Sequence, residues 1–137
     1  MVFWTFTKSF ERLVTNMEKL LCPSMMCADF NNLKKEVIKL DEAGADVFHI
    51  DVMDGNFVPN FAMGLEDFKC IRENTKKMVD VHLMVENPAA LAEIFCKMGA
   101  DIVYVHYETD VNIARTFDNI HKYGKKIGFS HKSGNII

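Results

Sequence analysis

A chain of 137 residues with 49% apolar and 26% charged side chains and a formal net charge of −3 has the makeup of an ordinary globular domain, without the basic excess of a nucleic-acid binder. The apolar stretch Val2-Phe3-Trp4-Thr5-Phe6 is too short to span a membrane and runs into Lys8, Glu11 and Arg12, so no membrane partner is expected. Cys22, Cys27, Cys70 and Cys96 form no Cys-x-x-Cys pair and follow no signal peptide, which points to reduced thiols and a cytoplasmic protein.

Leu20 to Met26 predicts a first strand. Asp29 then caps a helix that carries Phe30, Leu33, Val37 and Leu40 on one face, and Gly44 stops it. From Val47 the apolar residues alternate with His49, Asp51 and Met53, the period of two of a strand that holds those three on a single face. Asp54-Gly55-Asn56 ends it with turn formers. The polar pair therefore stands at the strand's C-terminal end under a loop, where α/β enzymes keep their chemistry.

Gly64 to Asn74 reads as a helix with Leu65, Phe68 and Ile71 as its apolar stripe. Val79 to Val85 alternates again, with Asp80, His82 and Met84 pointing one way and Val81, Leu83 and Val85 the other. Asn87 as N-cap and Pro88 at the first helical position open a helix bearing Leu91, Ile94, Phe95 and Met98, which Gly99 closes. A further strand ends at His106. Asp110 starts a helix with Ile113, Phe117 and Ile120 inward and Gly124 at its end.

Alternating strands and helices argue for a parallel sheet. A faint repeat agrees: Gly44 to Asp51 aligns with Gly99 to His106 at an offset of 99 − 44 = 55 residues, or two β/α units. That alignment puts His106 at the level of Asp51, where it either joins the site or faces solvent or a carboxylate such as Glu108. His49, Asp51 and His82 are three N/O donors on neighbouring strands and suit an open divalent-metal site. Taken alone, the His-x-Asp pair and the lone His each read more readily as satisfied core or surface groups.

Three runs, Cys22-Pro23-Ser24-Met25-Met26-Cys27-Ala28-Asp29-Phe30, His49-Ile50-Asp51-Val52-Met53-Asp54-Gly55-Asn56-Phe57-Val58-Pro59-Asn60 and Asp80-Val81-His82-Leu83-Met84-Val85, resemble the ribulose-phosphate 3-epimerase family in order and spacing. The likeness is close from about Leu20 to Gly128. It implies an α/β fold, an incomplete (β/α)8 TIM barrel of the ribulose-phosphate-binding kind, with about the first four to five β/α units. A closed barrel takes about 200 residues or more. The resemblance also divides the chain into a non-family extension, 1–16, with Met17 as the expected start, and an N-terminal half barrel, 17–137.

The implied reaction is epimerisation of D-ribulose 5-phosphate to D-xylulose 5-phosphate, a step of pentose phosphate metabolism, by proton abstraction through a metal-stabilised enediolate. Asp51 is the implied base. His49, Asp51 and His82 would hold one divalent ion (zinc, iron, manganese or cobalt), and Ser24, Met53, His82 and Met84 would touch the ketose-phosphate substrate. Intact members of the family are expected to be homo-oligomers. The family's fourth ligand, opposite-face acid and phosphate turns lie in its second half, so no phosphate-binding residue is assigned here. Arg72 and Lys77 read as solvated charges.

On this reading the chain is inactive alone. The alternatives are an allulose-6-phosphate 3-epimerase, toward which Cys22-Pro23-Ser24-Met25-Met26-Cys27 leans, and a non-catalytic half barrel. The tail from Phe129 departs from the family, whose fifth strand ends in Asn-Pro. One admissible set of codons, read one base later, restores that pair, as a frameshift would.

Overall fold

The computed structural model describes residues 19–109 and 113–131. Expectations for residues 1–16, Met17, the helix start at Asp110 and the tail after His131 lie outside the described residues. Four strands, β1 (Val47–Met53), β2 (Met78–Met84), β3 (Ile102–His106) and β4 (Lys126–Ser130), form one sheet in the order β1-β2-β3-β4. All three pairings are parallel, as the alternation of elements requires. One helix, α1 (Leu33–Glu42), precedes β1, and three lie between successive strands: α2 (Leu65–Asn74), α3 (Ala89–Met98) and α4 (Ile113–His121). No helix among the described residues is long and apolar enough to cross a membrane.

The period of two sorts the sheet into two faces. Phe48, Ile50, Val79, Val81, Leu83, Val103 and Val105 are fully buried and make a core with Phe68, Ile71, Phe95 and Ile120 of the helices. The opposite face carries His49, Asp51 and Met53 of β1 and His82 and Met84 of β2, all half-buried. Tyr104 lies on it as well, opposite both His82 and Gly128. A side chain at Gly128 would overlap the Tyr104 ring.

The repeat recurs in three dimensions. Gly44 and Gly99 both leave their helices at positive φ (93° and 103°), a region that favours glycine. Ala45 and Ala100 follow, both fully buried, each donating its N–H to the carbonyl five residues back. Then Asp46 accepts the Leu21 N–H and Asp101 the Val79 N–H, each tying down a preceding segment: the 20–24 stretch in one case, β2 in the other.

Several local expectations change. Leu20 to Met26 forms no extended ladder: Leu21 and Pro23 carbonyls accept from Val47 and His49, Ser24 makes a single bridge with His49, and Met25–Cys27 coils into a 3-10 turn. Pro23 has no N–H to offer a ladder. Asp29 does cap, but it caps a 3-10 turn (Phe30–Asn32) that breaks at Asn32 before α1, and the break leaves Phe30 49% exposed, off the buried stripe of Leu33 and Val37. Asn87 does not cap α3. It takes φ 53° ahead of Pro88, because a residue before proline is pushed out of the right-handed helical region and Asn tolerates the left-handed one. Pro88 stands at the N-cap position, and the buried face of α3 is Ala92, Phe95 and Cys96, with Ile94 turned outward.

Asp54 organises the loop above β1. Its Oδ1 accepts from the Asn56 and Phe57 N–H groups at 2.9 and 3.0 Å, and its Oδ2 from the Glu86 N–H at 2.8 Å, so two strand-end loops share one carboxylate. Slight burial disfavours its charge, but those amide bonds outweigh it and hold the carboxyl below its usual range. A depressed folded value means that the stabilisation is complete above the unfolded pKa of about 4 and fades as pH falls through the folded one. Asp54→Ala is therefore expected to lose about 1–2 kcal/mol at pH 7 in urea unfolding. The gap between variant and wild type should narrow by pH 3, and a pH-independent gap would deny the charge any part in it.

Candidate active site

Register brings the polar residues together. β1 and β2 pair His49 with Asp80 and Asp51 with His82, so four ionisable side chains form a block on the half-open face near the C-terminal ends of the strands. Oδ1 of Asp51 lies 3.2 Å from Nε2 of His49 and 3.2 Å from Nδ1 of His82. One ligand atom from each of the three lies within 4.8 Å of the other two. Ser24, delivered by its bridge to His49, donates its hydroxyl to Oδ2 of Asp51 at 2.7 Å. Met53 and Met84 are register partners at the strand ends and half-buried.

The electrostatics follow from this packing. Burial opposes charge on Asp51, yet hydrogen bonds from His49, His82 and Ser24 prevail and hold it well below the usual carboxylate range. Burial likewise works against an imidazolium at His49, but bonds to Asp51 and Asp80 together push it up to about 10. Each ring nitrogen of His49 thus faces a carboxylate, Nδ1 that of Asp80 and Nε2 that of Asp51. A cation on the Nε2 side would take the place of a proton there.

The donor set fits a divalent ion. Two imidazole nitrogens and a carboxylate oxygen converge, and the far nitrogen of His49 is anchored on Oδ1 of Asp80 at 2.6 Å, which fixes the ring's orientation. Asp80 has no role in the sequence reading beyond facing inward. The signal that would have found it is the β1–β2 register, which a single strand's pattern does not contain.

The second oxygen of Asp51, the implied base, accepts the Ser24 hydroxyl. One expectation about a candidate site residue is corrected. His106 does not sit at the level of Asp51: Tyr104 is opposite His82, and His106 lies two residues further on. Nor does it face solvent. Its ring is 5% exposed, stacked on His82 with centroids 5.0 Å apart and 4.8 Å from the Phe57 ring. Burial, then the neighbouring His82, pushes its pKa down. Arg72 is at the other end of the sheet, where it bonds Asp101 and the carbonyls of Thr75 and Lys77.

Comparison with known proteins bears on the family. The profile described as the Ribulose-phosphate 3 epimerase family matches residues 20–135. A ribulose-phosphate 3-epimerase of Synechocystis sp. is 47% identical over 111 residues, 80% of this chain and 48% of that protein. The namesakes in Treponema pallidum and Bacillus subtilis are each 43% identical, over 80% and 79% of this chain and 50% of their own lengths. The chain therefore spans about half the length of the curated relatives it matches. A solved mandelate racemase/muconate lactonizing enzyme from Roseiflexus sp. superposes on 86% of this chain and 49% of its own at a TM-score of 0.44 and 8% identity, too slight a likeness to carry an argument. With a match over most of its length and these three relatives, the chain belongs to the ribulose-phosphate 3-epimerase family.

Proposed function

We propose that this chain carries the metal-and-base portion of a ketose-phosphate 3-epimerase site, acting on D-ribulose 5-phosphate. The supporting observation is the convergence of His49, Asp51 and His82 with Ser24 at the C-terminal ends of two parallel strands. A divalent ion held there by His49, Asp51 and His82 would supply positive charge beside the substrate oxygens on which negative charge grows as the C3 proton leaves.

Asp51 takes that proton. The hydrogen bonds that depress its pKa keep it ionised, the form that accepts a proton, and losing one of them on substrate binding raises its basicity. Rotation of the Ser24 hydroxyl from Oδ2 to a substrate hydroxyl frees the accepting oxygen at the moment the substrate is bound. Met53 and Met84 border the reacting carbon with polarisable, water-excluding side chains. Inversion also needs an acid on the opposite face. Among the described residues the metal-ligating cluster includes no second carboxylate, and we assign that acid and the phosphate contacts to residues beyond this chain. Zinc, iron, manganese and cobalt all suit the donor set. A reducing cytoplasmic setting accords with the four free cysteines.

Metal titration tests the site. With three protein ligands, zinc binding should be measurable by calorimetry but exchangeable by chelators. His82→Ala should weaken it by more than the roughly 10–100-fold that loss of an outer partner costs. Equal zinc content in His82→Ala and wild type would remove His82 from the site.

A further inference from the structure

A histidine gives a lone pair to a cation through one nitrogen only if its proton sits on the other. Nδ1 of His82 lies 3.2 Å from Oδ1 of Asp51; once a cation takes the place of the proton there, the ring's remaining proton must sit on Nε2, which meets Nε2 of His106 at 2.8 Å. Two nitrogens at that distance share one proton, one ring donating and the other accepting. Resting on the metal-site reading above, we infer that His106 is a positioning residue. Its Nε2 accepts the Nε2–H of His82 and so turns the His82 Nδ1 lone pair toward the cation site beside Asp51.

The direction of that bond follows from the other end of the His106 ring. To accept at Nε2, His106 must carry its own proton on Nδ1. That atom is buried without a hydrogen-bond partner and lies 3.7 Å from Oε2 of Glu108. A carboxylate at that distance favours an N–H there and disfavours a lone pair. The opposite assignment would aim the Nδ1 lone pair at a carboxylate and leave the His82 Nδ1 protonated. Stacking on His82 at an interplanar angle of 21° and the nearby Phe57 ring hold the imidazole in place.

The arrangement also mirrors the other histidine. His49 has its far nitrogen fixed by Asp80, a group outside the ligand cluster, and His82 has its far nitrogen fixed by His106, likewise outside it. Each strand pair thus supplies one proposed ligand and one group that sets its tautomer.

The test uses the full chain, labelled with nitrogen-15 and titrated with zinc. In the wild type, zinc should shift Nδ1 of His82, leave a proton on its Nε2, and show coupling across the hydrogen bond from that Nε2 to Nε2 of His106. His106→Leu, which removes the acceptor, should bind zinc about 10–100-fold more weakly, whereas His106→Gln, which offers an amide oxygen, should stay within about threefold of wild type. Zinc bound at His82 with no coupling to His106 overturns the inference while sparing the metal site. So does wild-type affinity in His106→Leu, or equal loss in the Leu and Gln variants, which would mark a packing role. If zinc shifts no nitrogen of His82, both readings fall. Should His106→Leu not fold, the coupling in the wild type still decides.

Discussion

A polypeptide of these 137 residues, given zinc and D-ribulose 5-phosphate, is expected to form no xylulose 5-phosphate and to exchange the C3 proton with deuterated water at close to the uncatalysed rate. Asp51 serves one face of the reacting carbon, and inversion needs a proton donor on the other. The phosphate contacts that would hold the substrate near Asp51 are also proposed to come from elsewhere, so the binding energy that positions the carbon is missing. Supplying in trans the C-terminal half of a relative such as the Synechocystis protein should restore both exchange and epimerisation. Asp51→Asn in that reconstituted pair should then lower the rate by at least about 10²–10⁴-fold. The same assay with allulose 6-phosphate separates the two candidate substrates. Enzymatic turnover by the 137-residue chain alone, lost in Asp51→Asn, would show that copies of this chain complete the site between them.

Phe68→Ala is expected to be the most damaging single change to the fold. Phe68 on α2 and Phe95 on α3 are both fully buried and meet edge to face with ring centroids 5.2 Å apart. Truncation costs about 3–5 kcal/mol for the lost burial and cavity, and the ring pair adds about 0.5–1.5 kcal/mol. Small domains hold only about 5–15 kcal/mol in all. The urea midpoint should fall by more than about 1 M, given slopes of about 1–3 kcal/mol per molar. A shift of a few tenths of a molar would mean that α2 and α3 do not meet over the sheet as described.

What was legible in the sequence was what a single strand or helix decides. Val47–Met53 has the strand bounds read from its alternation, and β2 both begins and ends one residue earlier than read, at Met78 and Met84. The same alternation put His49, Asp51 and His82 on one face, where the structure brings their donor atoms together. What was not legible depends on pairings between segments. The His49–Asp80 bond and the His82–His106 contact are set by which residues of β1, β2 and β3 stand opposite one another. The position of Ser24 depends on one bridge made by a segment that Pro23 keeps from forming a ladder. Local misreadings have local causes too: Asn87 looks like a helix cap by residue type, but the proline after it sets its backbone.

Tyr104 and Gly128 are two addresses for one volume. The tyrosine ring lies where a side chain on the next strand would go, close enough that a Cβ at 128 would overlap Cδ1 and Cε1, atoms that move only if the whole ring leaves its rotamer. Substitutions at the two positions should therefore be tolerated in pairs and not singly. A library that randomises both should return large-with-small combinations in either order, and few with bulk at both.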